Sequence, residues 1–144
     1  MNKIIIKTLK DLKLWKKNLN NHINFVPTMG NLHKGHLNLI KEASTYNSNI
    51  TLVSIFINPL QFENKKDFTN YPQSIDKDIE LSFQSGADAI FIPNVHEIFP
   101  EKDSNICYVK ASKNLSSVLC GIKRIGHFDG VCTVVYRLCT LIEP

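Results

Sequence analysis

The chain has 144 residues, of which 43% are hydrophobic and 21% charged, which is ordinary for one soluble globular domain with its own core. Its 17 Lys and Arg outnumber its 13 Asp and Glu, giving a formal net charge of +4, but the basic residues are scattered. This balance suits anionic small molecules, and with no apolar run long enough to cross a bilayer we expect neither a nucleic-acid nor a membrane partner.

The cysteines and the N-terminus indicate a reducing compartment. Cys107, Cys120, Cys132 and Cys139 form no CxxC pair, so a zinc site is not indicated. The N-terminus lacks the apolar core and cleavage site of a signal peptide. Free thiols are typical of a reducing environment, and we expect a cytoplasmic protein.

The first elements in chain order predict alternating strands and helices. Ile4–Ile6 is a candidate short strand, and Thr8–Asn18 has the apolar spacing of a helix with its first residue as N-cap. The apolar run Ile23–Val26 predicts a buried strand, which we expect Pro27 and Gly30 to end in a turn.

The next segment, HKGH, places His33 and His36 on one side of a first helical turn, with Gly35 between them and a helical pattern reaching about Tyr46. A strand, a turn and a helix N-terminus in succession suit a nucleotide phosphate, because the helix end offers unpaired N–H groups. One alternative is that one histidine caps the helix and the other is solvated. A metal pair is the second alternative, disfavoured because no carboxylate or cysteine is nearby.

The run Ile50–Ile57 is apolar and β-branched almost throughout, which predicts a central parallel strand buried on both faces. Asn58 and Gln61 follow it, at the sheet edge that also carries the histidines. Their amides could bind a carboxylate or hydroxyl without adding charge. The alternative is that Asn58 and Pro59 merely form a turn.

The second half of the chain continues the alternation. Glu63–Tyr71 is polar and predicts a loop, and Ile75–Gln84 predicts a helix begun at Ser74 and ended by Gly86. The remaining predicted elements are a strand over Ala87–Ile92, a loop at His96 with Phe99 tucked against the body, a short strand over Ile106–Val109, and helices over Ser112–Leu119 and Val131–Ile142.

A glycine-rich segment, GIKRIGHFDGV, precedes the last helix. It carries Lys123, Arg124 and His127, with Gly126 and Gly130 flanking the histidine. Basic side chains in such a loop suit a phosphate or a carboxylate. An ordinary polar turn is the alternative.

Taken together, the stretches VPTMGNLHKGH, SIFINPLQF, DFTNYP, GADAIF and LCGIKRIGHFDGV resemble the pantothenate synthetase (pantoate–β-alanine ligase) family in order and spacing. The resemblance runs from Phe25 to the end of the chain. It implies an α/β fold, namely a Rossmann-like HxGH nucleotidyltransferase domain with a parallel central sheet flanked by helices. It also implies a two-step reaction, in which pantoate and ATP form pantoyl adenylate and pyrophosphate, and β-alanine then releases AMP and pantothenate.

The resemblance further implies partners and site residues. Mg²⁺ would accompany ATP, no metal ligand is carried over to this chain, and a homodimer is compatible with the family. His33 and His36 would be the catalytic residues, contacting the phosphates, with His36 in the position of the proton donor. The implied ATP-binding segment is Met29, Gly30, Asn31, Leu32, His33, Lys34, Gly35 and His36. The implied pantoate and β-alanine pocket is Phe56, Asn58, Gln61, Arg124, His127, Val131, Val134 and Val135.

The sequence departs from the family at several places. Ile125 stands where proline is usual and Asp129 where arginine is frequent, so a positive charge frequent in the family is missing from the loop of Arg124 and His127. A GEKD-type segment, a second glutamine and an MSSRN-type loop that follow in the family are not in this sequence. We therefore expect residues 1–144 to be the N-terminal nucleotide- and pantoate-binding domain without the C-terminal lid domain, at most feebly active alone. The alternatives are an inactive ATP- or pantoate-binding fragment and another HxGH adenylyltransferase.

Overall fold

The computed structural model describes residues 3–46, 48–63, 65–100, 106–112, 114, 124 and 126–144. In chain order these contain β1 (Ile4–Ile6), α1 (Leu9–Lys17), β2 (Ile23–Thr28), α2 (Lys34–Ser44), β3 (Ile50–Ile55), a 3₁₀ turn (Pro59–Gln61), α3 (Lys65–Thr69), α4 (Ile75–Gln84), β4 (Ala89–Phe91), α5 (Val95–Ile98) and α6 (His127–Ile142). Cys120, Lys123, Ile125 and most of the helix predicted over Ser112–Leu119 lie outside the described residues.

The described strands form one parallel sheet in the order β1-β4-β3-β2. Val53 at its centre is paired with Val26 on one side and Ile90 on the other. Every residue of β3 is buried, so the prediction of a central strand covered on both faces is confirmed. The predicted α/β class with a parallel sheet is also confirmed.

Two hydrophobic clusters cover the two faces of the sheet. One cluster joins α1 and α6 to the sheet through Leu12, Leu52 and Leu138, all buried. The second joins α2 to β2 and β3 through Ile40, Val26 and Val53, with α4 beside it. The helices therefore sandwich the sheet and leave the carboxyl ends of β2, β3 and β4 at one edge. In the described part of the chain no helix has the length and apolar character needed to span a bilayer.

Several predicted boundaries are confirmed. Thr8 caps α1, because its Oγ1 accepts a hydrogen bond of 3.1 Å from the Asp11 N–H. Helix α4 has the predicted bounds, and Gly86 beyond its end takes a left-handed φ of 108°.

The predicted ends of the strands are corrected. Pro27 does not end β2 but lies inside it, because β2 pairs only with β3 among the described residues and an edge strand tolerates a missing N–H. Both β3 and β4 are shorter than their apolar runs. Phe56 beyond β3 still donates its N–H to Thr28 O at 3.0 Å, although the ladder has ended.

Two predicted loops are short helices instead. In α3, Phe68 packs edge-on against Phe62 with ring centroids 5.6 Å apart, which anchors an otherwise polar segment. In α5, Asn94 caps the helix by accepting the Glu97 N–H at 3.0 Å, and Ile98 is fully buried. His96 is thus helical and exposed, while Phe99 packs against the core as predicted.

The segment 106–109 is not a strand. The N–H of Val109 donates to Thr133 Oγ1 of α6 at 3.0 Å, so this backbone is bonded to a side chain rather than to a sheet. Helix α6 itself begins at His127, before the predicted Val131. Gly126 precedes it with a left-handed φ of 81°, and the Gly130 N–H already bonds to Gly126 O at 3.0 Å. His127 is therefore a first-turn helical residue and not part of a loop.

Candidate active site

The segments after β2 and β3 meet at one edge of the sheet, as predicted for the carboxyl ends of parallel strands. Met29 and Gly30 follow β2, and the 3₁₀ turn follows β3. His36 from the first turn of α2 and Gln61 from the 3₁₀ turn line the same cavity. The two motifs singled out in the sequence are thus brought together.

His33 and His36 form a reciprocal cap on α2. The Nδ1 of His33 accepts the Gly35 N–H at 3.1 Å, and the Nδ1 of His36 accepts the His33 N–H at 3.4 Å. The two rings are 4.1 Å apart between centroids, tilted by 34°. Because each Nδ1 acts as an acceptor, each neutral ring carries its proton on Nε2. The alternative that a histidine caps the helix is therefore realised, with the Nε2–H groups left to donate elsewhere.

The electrostatic setting favours a neutral His36. Burial lowers the pKa of His36, and the neighbouring His33 lowers it further, while the charge of Asp78 opposes both effects. The pKa therefore lies below the ordinary histidine value. At neutral pH the Nε2–H of His36 is a hydrogen-bond donor without a full positive charge.

An apolar cavity of about 240 Å³ opens beside His36. Its walls come from the end of β2, the segment after β3 and the first turns of α6. We call it the apolar cavity, lined by Pro27, Thr28, Met29, Gly30, His36, Phe56, Gln61, Tyr71, Val131, Val134, Val135 and Leu138. The predicted residues Phe56, Val131, Val134 and Val135 do wall one side of it. Apolar groups thus face a few polar ones, as in many small-molecule sites.

A second cavity, of about 470 Å³, adjoins the first. The two share Met29, Gln61 and Tyr71, and the second is the more polar. We call it the polar cavity, lined by Met29, Gln61, Phe62, Glu63, Asp67, Asn70, Tyr71, Pro72, Arg124 and His127. The structure therefore brings Arg124 and His127 to the same region as Gln61.

Asn58 does not line either cavity. It is completely buried, and its Nδ2 donates to Gln61 Oε1 at 2.8 Å and to Gly130 O at 3.0 Å. Its Oδ1 accepts the Leu60 N–H at 3.2 Å, which caps the 3₁₀ turn. The turn predicted at Asn58 and Pro59 is thus present. Because Gln61 Oε1 is occupied, its Nε2 group is the donor that can be presented to a ligand.

Hydrogen bonds within the protein also hold the basic end of the site in place. The Nδ1–H of His127 donates to Gln61 O at 3.0 Å, tying α6 to the 3₁₀ turn. Asp129, the departure from the family, accepts the Ala111 N–H at 2.8 Å through its carboxylate. Arg124 is exposed at the mouth of the polar cavity.

The candidate ATP segment divides into inward and outward residues. Met29 and Gly30 line the cavities, and the side chain of Leu32 packs against the core cluster of Val26 and Ile40. The side chain of Leu32 is therefore turned away from a ligand. The exposed members of the segment are Asn31, His33, Lys34 and Gly35.

Two residues at or near the site, Asp78 and Tyr71, were not predicted from the sequence. Asp78 on α4 is 1% exposed and contacts the loop before His33. Tyr71 lines both cavities, and burial together with Asp78 raises the pKa of its hydroxyl, so it stays protonated. The available signal for Asp78 is its place beside Ile79 and Phe83, on the side of α4 that is buried. Tyr71 lies in the DFTNYP stretch that carries the family resemblance, but no role at the site was assigned to it from the sequence.

The parallel sheet and the helix N-terminus at its carboxyl edge define a nucleotidyltransferase-like domain. The profile of the pantoate-beta-alanine ligase family matches residues 4–144, and the chain belongs to this family. A bifunctional pantoate ligase/cytidylate kinase of Prochlorococcus marinus subsp. pastoris is 62% identical over 144 residues, covering 100% of this chain and 28% of that protein.

Solved structures are similar over the whole chain. The crystal structure of pantoate-beta-alanine ligase from Francisella tularensis, complexed with beta-gamma ATP and beta-alanine, has a TM-score of 0.88 and 36% identity, covering 99% of this chain and 54% of that one. The pantothenate synthetase from Thermus thermophilus has a TM-score of 0.84 and 37% identity, covering 98% of this chain and 49% of that one. The chain thus spans about half of these ligases and under a third of the bifunctional relative.

Proposed function

We propose that this chain provides the ATP- and pantoate-binding part of an AMP-forming ligase that joins pantoate to β-alanine. The observation that carries the proposal is the shared cavity of His36 and Gln61. In this cavity an N–H group that can donate to a phosphate lies at a helix N-terminus, next to an apolar wall and the amide of Gln61. This is the pairing that a reaction between a nucleotide and a branched, hydroxylated carboxylic acid requires.

In this proposal the ATP phosphates lie at the N-terminus of α2. The Nε2–H groups of His33 and His36 donate to phosphate oxygens, since both Nδ1 atoms are engaged in the cap. A carboxylate oxygen of pantoate attacks the α-phosphorus, and the bond to the leaving pyrophosphate breaks. His36 stabilises the charge that moves onto pyrophosphate by hydrogen bonding, which its neutral form can do.

Pantoate would occupy the apolar cavity. Its two methyl groups fit against Val131 and Val134, and the Nε2 amide of Gln61 donates to a hydroxyl or carboxylate oxygen. Phe56 extends the apolar wall. Positioning the carboxylate in line with the α-phosphorus supplies much of the rate, because the protein forms no covalent bond itself.

β-Alanine would enter through the polar cavity, where Arg124 and His127 suit its carboxylate. Its amine then attacks the acyl carbon of pantoyl adenylate, and AMP leaves with the electron pair of the broken acyl–phosphate bond. Because the two cavities adjoin at Met29, Gln61 and Tyr71, the amine would reach the intermediate past these residues.

Mg²⁺ is proposed to arrive on the ATP phosphates. Among the residues that the structure describes, no three His, Cys, Asp or Glu side chains come together to hold a metal ion. The charge stabilisation proposed above comes from the protein's own donors.

We further propose that the reaction takes place in the cytoplasm, where the thiols of Cys107, Cys132 and Cys139 would remain free, as they are in the structure. A homodimer is also proposed from the family resemblance. Sedimentation of the purified protein tests it, and a monomer at every concentration would exclude it.

The function is tested by measuring AMP formation from ATP, with pantoate and β-alanine each present or omitted. The assay is run on the complete gene product and on residues 1–144. We expect AMP from the complete gene product only when both acids are present, and a much lower rate from residues 1–144. AMP formation independent of pantoate, or with a different acid in its place, would exclude the proposed reaction.

A further inference from the structure

The carboxylate of Asp78 is buried beneath the loop that connects β2 to α2. Its Oδ2 accepts the Asn31 N–H and its Oδ1 accepts the Leu32 N–H, both at 2.8 Å. The Ser74 hydroxyl donates to Oδ2 at 3.1 Å. A methyl group added at Gly30 would lie 3.0 Å from the same oxygen, so the loop and the carboxylate are in tight contact.

The loop has the shape of an anion-binding concavity. Gly30 and Asn31 take left-handed φ values of 80° and 51°, and the N–H groups of Asn31 and Leu32 converge on one point. Such successive N–H groups commonly bind an external anion. Here the carboxylate of Asp78 occupies that point, so an ATP phosphate cannot use these two donors.

The same loop leads directly into the histidine cap. His33 follows Leu32, and its N–H is bonded to His36, so the position of Leu32 determines where both rings lie. The charge of Asp78 also reaches His36, whose pKa it raises against the effects of burial and His33. Asp78 thus acts on the pair through geometry and through charge, although it lines neither the apolar nor the polar cavity.

We propose that Asp78 is a positioning residue: its carboxylate fixes the loop from Gly30 to Leu32, keeps phosphates off that loop, and so sets His33 and His36 against the phosphates. The inference rests on the proposed ligase function for its catalytic consequence. Its structural content, the dependence of the histidine pair on Asp78, stands without that function.

The test is Asp78→Asn, which keeps the size of the side chain but has one acceptor oxygen for two N–H groups and no charge. In the complete gene product, below its melting temperature, we expect AMP formation about a hundredfold slower, the effect of a small misplacement of catalytic groups. With ¹³C-labelled histidine, we expect the His36 titration to move to lower pH, because the opposing charge is gone. Asp76→Asn, on the exposed side of the same helix, is the matched control and should change neither.

A merely structural role would lower the melting temperature without moving the other readouts. An Asp78→Asn protein with the wild-type His36 titration and a rate within about twofold of wild type would therefore overturn the proposal. If the wild-type protein forms no AMP from pantoate and β-alanine, the proposed function fails, while the titration still decides the role of Asp78.

Ser74→Ala carries the test if Asp78→Asn does not fold. It removes one hydrogen bond to Oδ2 and leaves both amide bonds in place. Because the charge of Asp78 stays in place, we expect a several-fold lower rate with an unchanged His36 titration. A wild-type rate would overturn the proposal.

Discussion

The buried amide of Asn58 donates a hydrogen bond of 2.8 Å to Oε1 of Gln61. The same nitrogen bonds to Gly130 O, so one side chain joins the segment after β3 to helix α6 and orients the amide that faces the cavities. Asn58 therefore acts on the proposed pantoate site without lining it. Gln61 owes its orientation to a residue that no ligand needs to touch.

Replacing Asn58 should therefore affect both stability and activity. Asn58→Ala removes the acceptor of the Leu60 N–H and one donor to Gly130 O, and we expect the free energy of unfolding to fall by about 1–3 kcal/mol. Gln61 loses its orientation, so KM for pantoate should rise. Urea unfolding followed by the fluorescence of Trp15, the single tryptophan, measures the first effect, and steady-state kinetics measure the second.

Asn20→Ala is the matched control, since Asn20 is exposed between α1 and β2, away from the site. It should change stability by less than about 0.5 kcal/mol. An Asn58→Ala protein that is destabilised but keeps the wild-type KM for pantoate would contradict the orienting role.

Gly130 allows α6 to approach the 3₁₀ turn. A Cβ at this position would collide with the carbonyl group of Leu60, which is backbone and cannot rotate away. We expect Gly130→Ala to destabilise the protein by about 1–3 kcal/mol, although alanine is the better helix former. Unfolding in urea measures the change, and Thr140→Ala on the exposed side of α6 is the control. A stabilised Gly130→Ala protein would show that helix propensity outweighs the collision.

Local patterns in the sequence predict the sheet and half of the site. The run Ile50–Ile57 has apolar residues at odd and even positions alike, as expected of a strand covered on both faces. The spacing of His33 and His36 brings the two rings together within a single helical turn, so no long-range information is needed. The helix boundaries at Thr8 and Gly86 likewise depend on neighbouring residues.

The parts that could not be predicted depend on contacts between distant segments. Asp78 is hydrogen-bonded to Asn31, 47 positions away in the sequence, and Asn58 to Gly130, 72 positions away. The pattern of a polar residue after a strand does not reveal whether it will be exposed or covered by a later helix. For the same reason α6 begins at His127, where the 3₁₀ turn offers the Gln61 carbonyl to the ring.

The lowered pKa of His36 predicts a pH dependence of stability. In the unfolded chain the pKa of His36 is about 6.5, and in the folded protein it is lower. Between these values the unfolded state holds more protons, so stability rises with pH across this window and is lost as the pH falls below about 6.5. His33 lowers the pKa and Asp78 raises it, and both face the ring.

Urea unfolding at about pH 7.5 and about pH 5.5, compared between wild type and His36→Gln, isolates this contribution because the other histidines are common to both. Wild type should lose more stability on acidification than the variant. Equal losses in the two proteins, or a His36 titration by NMR above the ordinary histidine value, would contradict the lowered pKa.

The neutral state of His36 also decides how its variants behave. His36→Ala removes one donor to the developing pyrophosphate, and we expect AMP formation to fall by about 100-fold or more in the complete gene product while the fold persists. His36→Gln should retain more activity than His36→Ala, because its amide N–H group can replace the Nε2–H of a neutral ring. His22→Ala, at the opposite end of β2, is the control and should leave the rate unchanged. If His36→Gln is as inactive as His36→Ala, a hydrogen bond from His36 is not sufficient, and His36 must transfer a proton instead. The circular dichroism spectrum of each variant, recorded beside its rate, distinguishes these outcomes from misfolding.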